Sequence, residues 1–387
     1  MKLMKNIGLL FLLCLAMPLI VSCVDLDENP PSDLSPQNFY TSESEYNAAL
    51  TGIIKALYSD WSGFDYGYDL ILASGAEDIR SDADLFKNFD RLVPNDRELV
   101  IHDFWMKCYQ AISNANTLIS KLQNAKDVSA EKLDALEGQA RFLRAFTYFY
   151  LVRFFGPVQV TTYENQNSIE TVKQSSVAEV YDTILEDLSI AEVKLPLSFA
   201  EKGRPTRGAA KTLMAKVYLT MTGWPLNDKS YYVLARDKAA EVMDEKYGYD
   251  LEDDFSDLWK QSNKLKSKEF IFTFYGSVAE DGVAGSHMDL ATRYFGNGEG
   301  GWGDYFSETR FFDAFPEGPR KDATFTSVFA DGTTFTEAGV EPFIAKYRDG
   351  GRRVSTSSEG FRPMLRFADV LLLYAEAANY VNNGPDQ

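Results

Sequence analysis

The chain has 387 residues and a formal net charge of −18. Acid on that scale repels phosphate backbones, which excludes nucleic acid as a partner. The aromatic complement, 21 Tyr, 27 Phe and 5 Trp, is that of a chain able to bury a core, not of an acidic disordered one.

At the N-terminus, Lys2 and Lys5 precede an apolar run from Ile7 to Val21. That run is shorter than the ~20 residues a bilayer span needs, and with its basic start it reads as an export signal over residues 1–22. Ile20-Val21-Ser22-Cys23 lacks the small-x-small site of ordinary secretion. It resembles the lipobox of bacterial lipoproteins, in which the cysteine, here Cys23, is lipidated and becomes a membrane anchor. Removing the two lysines of the signal takes the charge from −18 to −20. Asp25, Asp27 and Glu28, followed by Pro30 and Pro31, read as a solvated tether. Acids directly after a lipidated cysteine also resemble the signal that sends Bacteroidetes lipoproteins to the outer cell surface. Asp25-x-Asp27-x-Asn29 imitates the start of a calcium loop, but Pro30 and Pro36 stand where that loop needs glycine and glutamate. Cys14 leaves with the signal and Cys23 takes lipid, so Cys108 has no cysteine to pair with and packing must hold the fold. With two histidines, His102 and His287, and neither CxxC nor HExxH, no metal or other cofactor is expected.

The mature chain begins as a row of helices. Ser42-x-x-Glu45 is a capping box, behind which Tyr46, Leu50, Ile53, Ile54 and Leu57 recur at helical spacing. A second helix is expected over about 99–123, with Phe104, Tyr109, Ile112, Leu118 and Leu122 inward. The segment LEGQARFLRAFTYFYLVRFFGP is apolar around most of its circumference, which predicts a central buried helix stopping at Gly156-Pro157. Residues 158–162 read as extended. Ser176-x-x-Glu179 opens a further helix that Pro196 closes, and Thr206 caps the next, whose Ala209, Ala210 and Ala215 allow close helix approach. Another spans roughly 230–246. Helices paired through small residues imply hairpins of the tetratricopeptide kind, although no clean 34-residue repeat is visible. Near 265 the character changes. EFIFTFY reads as a strand, the stretch to about 360 is rich in glycine, aromatics and turns, and Pro363 is expected to start a last helix, MLRFADVLLLYAEAANY. So apolar a helix needs a partner, and none follows it; either the sequence is truncated or the partner comes from earlier helices.

The lipobox with its acidic tail, ARFLRAFTYFYLVRFFGPV, GRPTRGAAKTLMAKVYL and RPMLRFADVLLLYAEAAN resemble, in this order, hallmark segments of the SusD/RagB family of Bacteroidetes outer-membrane lipoproteins. WGDYFSETRFFDAFPEGPRKDATF is similar to the family stretch in which a helix leads into an acidic turn ending in arginine. The resemblance implies a mainly α fold, with tetratricopeptide-like helical hairpins, an irregular loop-rich ligand-binding region and a few short strands. It divides the chain into a signal (1–22), an N-terminal helical region (23–265) and a C-terminal region (266–387) that lacks the family's closing Asn/Arg-rich helix and is therefore expected to be truncated. It further implies a cell-surface protein, lipid-anchored in the outer membrane and not an enzyme. Such a protein captures nutrients, usually oligosaccharides and sometimes peptides, for a SusC-like TonB-dependent transporter.

Candidate ligand residues come from two aromatic clusters on turn-rich segments. One is DWSGFDYGYD, with Trp61, Tyr66 and Tyr68, followed by Asp78 and Arg80; the other holds Tyr294, Trp302 and Tyr305. A pyranose presents an apolar face that stacks on indole or phenol, while its hydroxyls seek carboxylates and guanidinium groups. The same rings could equally be loop anchors packed on the core. Gly296-x-Gly298-x-x-Gly301 matches the dinucleotide fingerprint in letters, yet Glu299 inside it would face a phosphate, so it reads as a loop. Arg141, Arg144 and Arg153 are expected to pair with neighbouring helices, and Arg366 and Glu376 to be structural. Paired carboxylates could serve a glycosidase, but no nucleophile elbow, P-loop or metal signature accompanies them. The strong acidity points to a neutral oligosaccharide, with a peptide as the alternative ligand.

Overall fold

The computed structural model describes residues 39–58, 63–67, 74–123, 125–278 and 285–384. The signal, Cys23, the acidic tether, Trp61 and Tyr68 lie outside the described residues.

The fold is mainly α. Six long helices, α1 (Glu43–Leu57), α2 (Leu99–Leu122), α3 (Ala130–Phe155), α4 (Val177–Lys194), α5 (Arg207–Met221) and α6 (Tyr231–Val242), each pack on the next. Their ends follow the sequence signals. In both capping boxes the serine hydroxyl accepts from the backbone three residues on, and the glutamate accepts from the serine N–H, at 2.9 Å for Ser42 and 2.7 Å for Ser176. Thr206 Oγ1 accepts from Ala209 N at 3.3 Å. α3 stops at Gly156, whose φ of 71° suits a residue without a Cβ, and beyond it the two-residue strands β2 (Val158–Gln159) and β3 (Gln174–Ser175) pair antiparallel. From Gly138 to Val152 all but two residues of α3 are buried, because α2, α4 and α1 enclose it.

The two that are not fully buried, Arg141 and Arg144, hold the layers in register. Both donate to Asp187 on α4, at 2.9 and 2.8 Å, and Arg144 also reaches Asn116 on α2 at 2.6 Å. Arg153 instead lies over the Phe149 ring, 5.1 Å from its centroid.

After the helical row, strand β4 (Phe270–Tyr275) lays Phe272 edge-on against Phe142 and Phe146, at centroid distances of 5.0 and 5.5 Å. The later part of the chain thereby shares the main core of the helices. One expectation is corrected here. Pro363 does not start the last helix; residues Phe361–Arg366 form a strand, β8, antiparallel to β4, with Pro363 opposite Thr273 and a register irregularity just after it. Proline is tolerated because this sheet has only two strands, so a missing N–H costs no ladder bond on an inner strand. The helix, α10, begins at Phe367 and packs on α6 and α5, so its partner comes from earlier in the chain. Tyr380 stacks on Tyr232 and Asp369 accepts from Lys216 at 2.8 Å.

Between β4 and β8, short pieces fold over one end of α2. They are α7 (Met288–Ala291), β5 (Phe306–Ser307), α8 (Thr309–Ala314), α9 (Pro319–Thr324), β6 (Phe325–Thr326) and β7 (Phe343–Ile344). With β1 (Ile79–Arg80) they make a small antiparallel sheet in the order β1-β5-β7-β6. A second core fills this region, containing Tyr66, Phe86, Val100, Met288, Tyr305 and Phe325.

Candidate functional site

The small sheet brings the two sequence clusters together. Ile79 pairs with Ser307 and Arg80 with Phe306, so the segment after the first helix borders the one that follows Trp302. Backbone bonds from Trp302 to Leu290 (2.9 Å) and from Asp304 to Ala291 (3.1 Å) clamp the aromatic loop on α7.

Burial then separates the candidates. Tyr66 and Tyr305 are each only 2% exposed. Tyr66 O–H donates to Asp304 at 2.6 Å, and its ring meets Phe86 and Trp302 edge-on. Burial pushes the Asp304 carboxyl up, against the lowering effect of the Tyr66 hydrogen bond. Tyr305 also lies in the second core, where burial raises its phenol far above the ordinary range. Trp302 is half-buried, stacked on His287 at 5.6 Å. Tyr294 is half-buried too and stacks on Phe329 in a third, smaller cluster. Arg80 pairs with Asp82 and Glu341 and lies over the Phe306 ring.

The GxGxxG loop is not a nucleotide cradle. It follows α7 instead of a strand, and Glu299 inside it is buried, accepting from Ala330 N at 2.9 Å and pairing with Arg348. Gly301 is needed for packing: a Cβ there would sit 2.3 Å from the backbone oxygen of Arg293.

Two adjoining depressions mark the surface of this region. An open groove of roughly 1070 Å³ is bordered by residues 75–78, Asp90, Glu308, Arg310 and Phe311. It shares Asp78 and Phe311 with a narrower cavity of roughly 210 Å³, walled by Tyr305, Phe311, Phe315, Phe325 and Ile344. Arg320, Lys346 and Tyr347 complete that wall. Of the sequence candidates, Asp78 and Tyr305 therefore reach the cavity. Phe311, Phe315 and Arg320 lie in the TRFFDAFPEGPRK stretch, where helical spacing of three phenylalanines on a turn-rich segment was the available signal. Lys346 carried none.

Lys346 has no hydrogen bond or ion pair among the described residues; its ammonium lies 5.6 and 5.2 Å from the ring centroids of Phe255 and Trp259. Burial, helped by the nearby positive charges of Arg366 and Arg320, pushes its amine down to about 8, and Asp78 only partly opposes this. Among the described residues there is no group of acids, histidines and cysteines able to hold a metal.

Comparison with known proteins agrees with this architecture. A family model described as starch-binding and associating with the outer membrane matches residues 26–219, and the SusD family model matches residues 321–386. SusD-like protein P2 of Formosa agariphila is 27% identical over 398 residues, covering 95% of this chain and 77% of that protein. A SusD superfamily protein from Parabacteroides distasonis superposes with a TM-score of 0.75 at 28% identity, covering 90% of this chain and 78% of its own. A laminarin-binding SusD-like protein superposes with a TM-score of 0.73 at 24% identity, covering 88% and 81%. The chain belongs to the SusD/RagB family, whose members associate with the outer membrane. Among the described residues no helix is long and apolar enough to cross a membrane.

Proposed function

We propose that this protein is a lipid-anchored surface receptor that captures an oligosaccharide without cleaving it and passes it to a TonB-dependent outer-membrane transporter. The observation that carries the reading is the open groove at Asp78 and Phe311, leading into an aromatic-walled cavity. Family membership supports it, as does the laminarin binding named for one structural relative. Sugar rings would stack on aromatic side chains, with Phe311 and Trp302 among the described residues and Trp61 and Tyr68 as the further sequence candidates. Asp78 and Arg310 would meet the hydroxyls. Tyr66 and Tyr305 would act beneath the surface, holding Trp302 and the cavity wall in place.

A stacked ring withdraws on the order of 100 Å² of apolar surface, which at ~25 cal/mol per Å² contributes about 2–3 kcal/mol. Association entropy and lost hydroxyl hydration offset much of this, so affinity is expected at roughly micromolar to millimolar. Weak binding also permits release to a transporter. Calorimetric titration of a panel of oligosaccharides and peptides tests the reading, repeated with Trp302→Ala, Phe311→Ala and Trp61→Ala in folded protein. Saccharide binding without new products, lost in at least one variant, supports it. Product formation would make the protein an enzyme, and binding of peptides alone would favour the peptide-uptake branch of the family.

A further inference from the structure

The overall charge of −18 argues for a neutral ligand, yet the cavity wall reverses that sign locally. Two cations, Arg320 and Lys346, line the same roughly 210 Å³ space, and Asp78 is the one carboxylate among its lining residues. Several other described cations over aromatic rings are neutralised: Arg80 by Asp82 and Glu341, Arg366 by Glu269 at 2.5 Å, Lys321 by Glu317 at 2.6 Å. Arg320 and Lys346 are different. Neither has a hydrogen bond or a carboxylate partner among the described residues, and each lies against an aromatic face, with the Arg320 guanidinium carbon 4.4 Å from the Phe255 centroid. An aromatic face attracts a cation but leaves its N–H groups without acceptors. Arg320 is solvent-exposed and Lys346 half-buried, and with Asp78 as the single acid facing the pair the wall keeps a net positive charge for an entering anion to meet.

We propose that the cavity is an acid-binding subsite, in which Arg320 and Lys346 take a carboxylate or sulfate group on a sugar ring stacked against Phe311. The inference rests on the saccharide-capture reading and narrows the ligand to acidic saccharides. The guanidinium supplies a two-pronged donor and the ammonium a point charge, an arrangement that accepts an oxyanion and offers nothing comparable to a neutral hydroxymethyl group. Asp78, at the junction of cavity and groove, would repel a second acid close by, so charges spaced along the chain are preferred over adjacent ones.

The test is a set of matched titrations: oligogalacturonates and oligoglucuronates against their methyl esters, and sulfated galactan oligosaccharides against their desulfated forms. The acidic member of the carboxylate or the sulfate pairs is expected to bind at least about tenfold tighter, with affinity falling as salt rises. Which pairs respond identifies the anion. Arg320→Met and Lys346→Met should each bring the ratio of acidic to neutral affinity towards one. As a readout independent of the sugar backbone, sodium sulfate should raise the melting temperature of wild type more than that of the Arg320→Met/Lys346→Met double variant at equal ionic strength. If neutral and acidic members bind alike, or the variants keep the preference, the acid subsite is wrong and saccharide capture stands. If no saccharide binds and sulfate protects both proteins equally, both readings fall.

Discussion

Lys346→Met should stabilise the folded protein. The lysine amine falls from its ordinary 10.5 to about 8 on folding, chiefly because burial removes water from the ammonium. At about 1.4 kcal/mol for each tenfold change, carrying that charge in the fold costs ~3 kcal/mol at neutral pH. Solvent reaching the half-buried side chain and the faces of Phe255 and Trp259 offset on the order of 1–2 kcal/mol, leaving a net burden of roughly 1–2 kcal/mol. Methionine keeps the length and apolar stem without the charge. Below pH 8 the folded and unfolded chains both hold the proton and the burden is fully present. Between about 8 and 10.5 the unfolded chain holds a proton that the folded one has shed, so wild type gains stability as pH rises. The advantage of Lys346→Met should therefore be largest at pH 7 and shrink towards pH 10. Urea unfolding of both proteins across that range measures it. A variant less stable than wild type at pH 7, or a difference that does not change with pH, would refute the reasoning.

Three further outcomes are expected. Tyr66→Phe removes the donor to buried Asp304 and should cost about 1–3 kcal/mol at pH 7; because burial already raises that carboxyl, the loss should diminish as acid protonates it, and an unchanged loss down to pH 4 would contradict this. Asp187→Ala leaves Arg144 on the central helix without a carboxylate and Arg141 with Glu137 alone, and should lower stability by about 3–5 kcal/mol in urea unfolding, against a fraction of that for an exposed pair such as Lys246–Asp244. Cys23→Ala should abolish fatty-acid labelling and release the protein from the membrane fraction, since each buried CH₂ of a lipid chain contributes ~0.8 kcal/mol; continued labelling would dismiss the anchor.

Much of the helical body was legible in the chain because its signals are local. A capping box needs four residues, and an apolar face needs three turns, so α1 to α5 could be read from windows that contain their own evidence. Pro363 misled for the same reason. Proline favours a helix start, and whether it sits in an edge strand depends on β4, some ninety residues earlier. The aromatic clusters were visible as composition, but their exposure was not. Tyr66, Trp302 and Tyr305 share one chemistry in sequence; their burial is set by Phe86, α7 and the small sheet, all supplied from elsewhere in the chain.

Contiguous or ordered residues thus sufficed for the long helices of the body and for the family. Only the tertiary structure decided which rings face a cavity, which arginines are neutralised, and that Arg320 and Lys346 share a wall with Asp78. The reason is physical: burial and charge compensation are properties of neighbours in space, and β1, α8, α9 and β7 bring together residues as far apart as Asp78 and Lys346, 268 positions from one another, whose spacing along the chain carries no trace of the meeting.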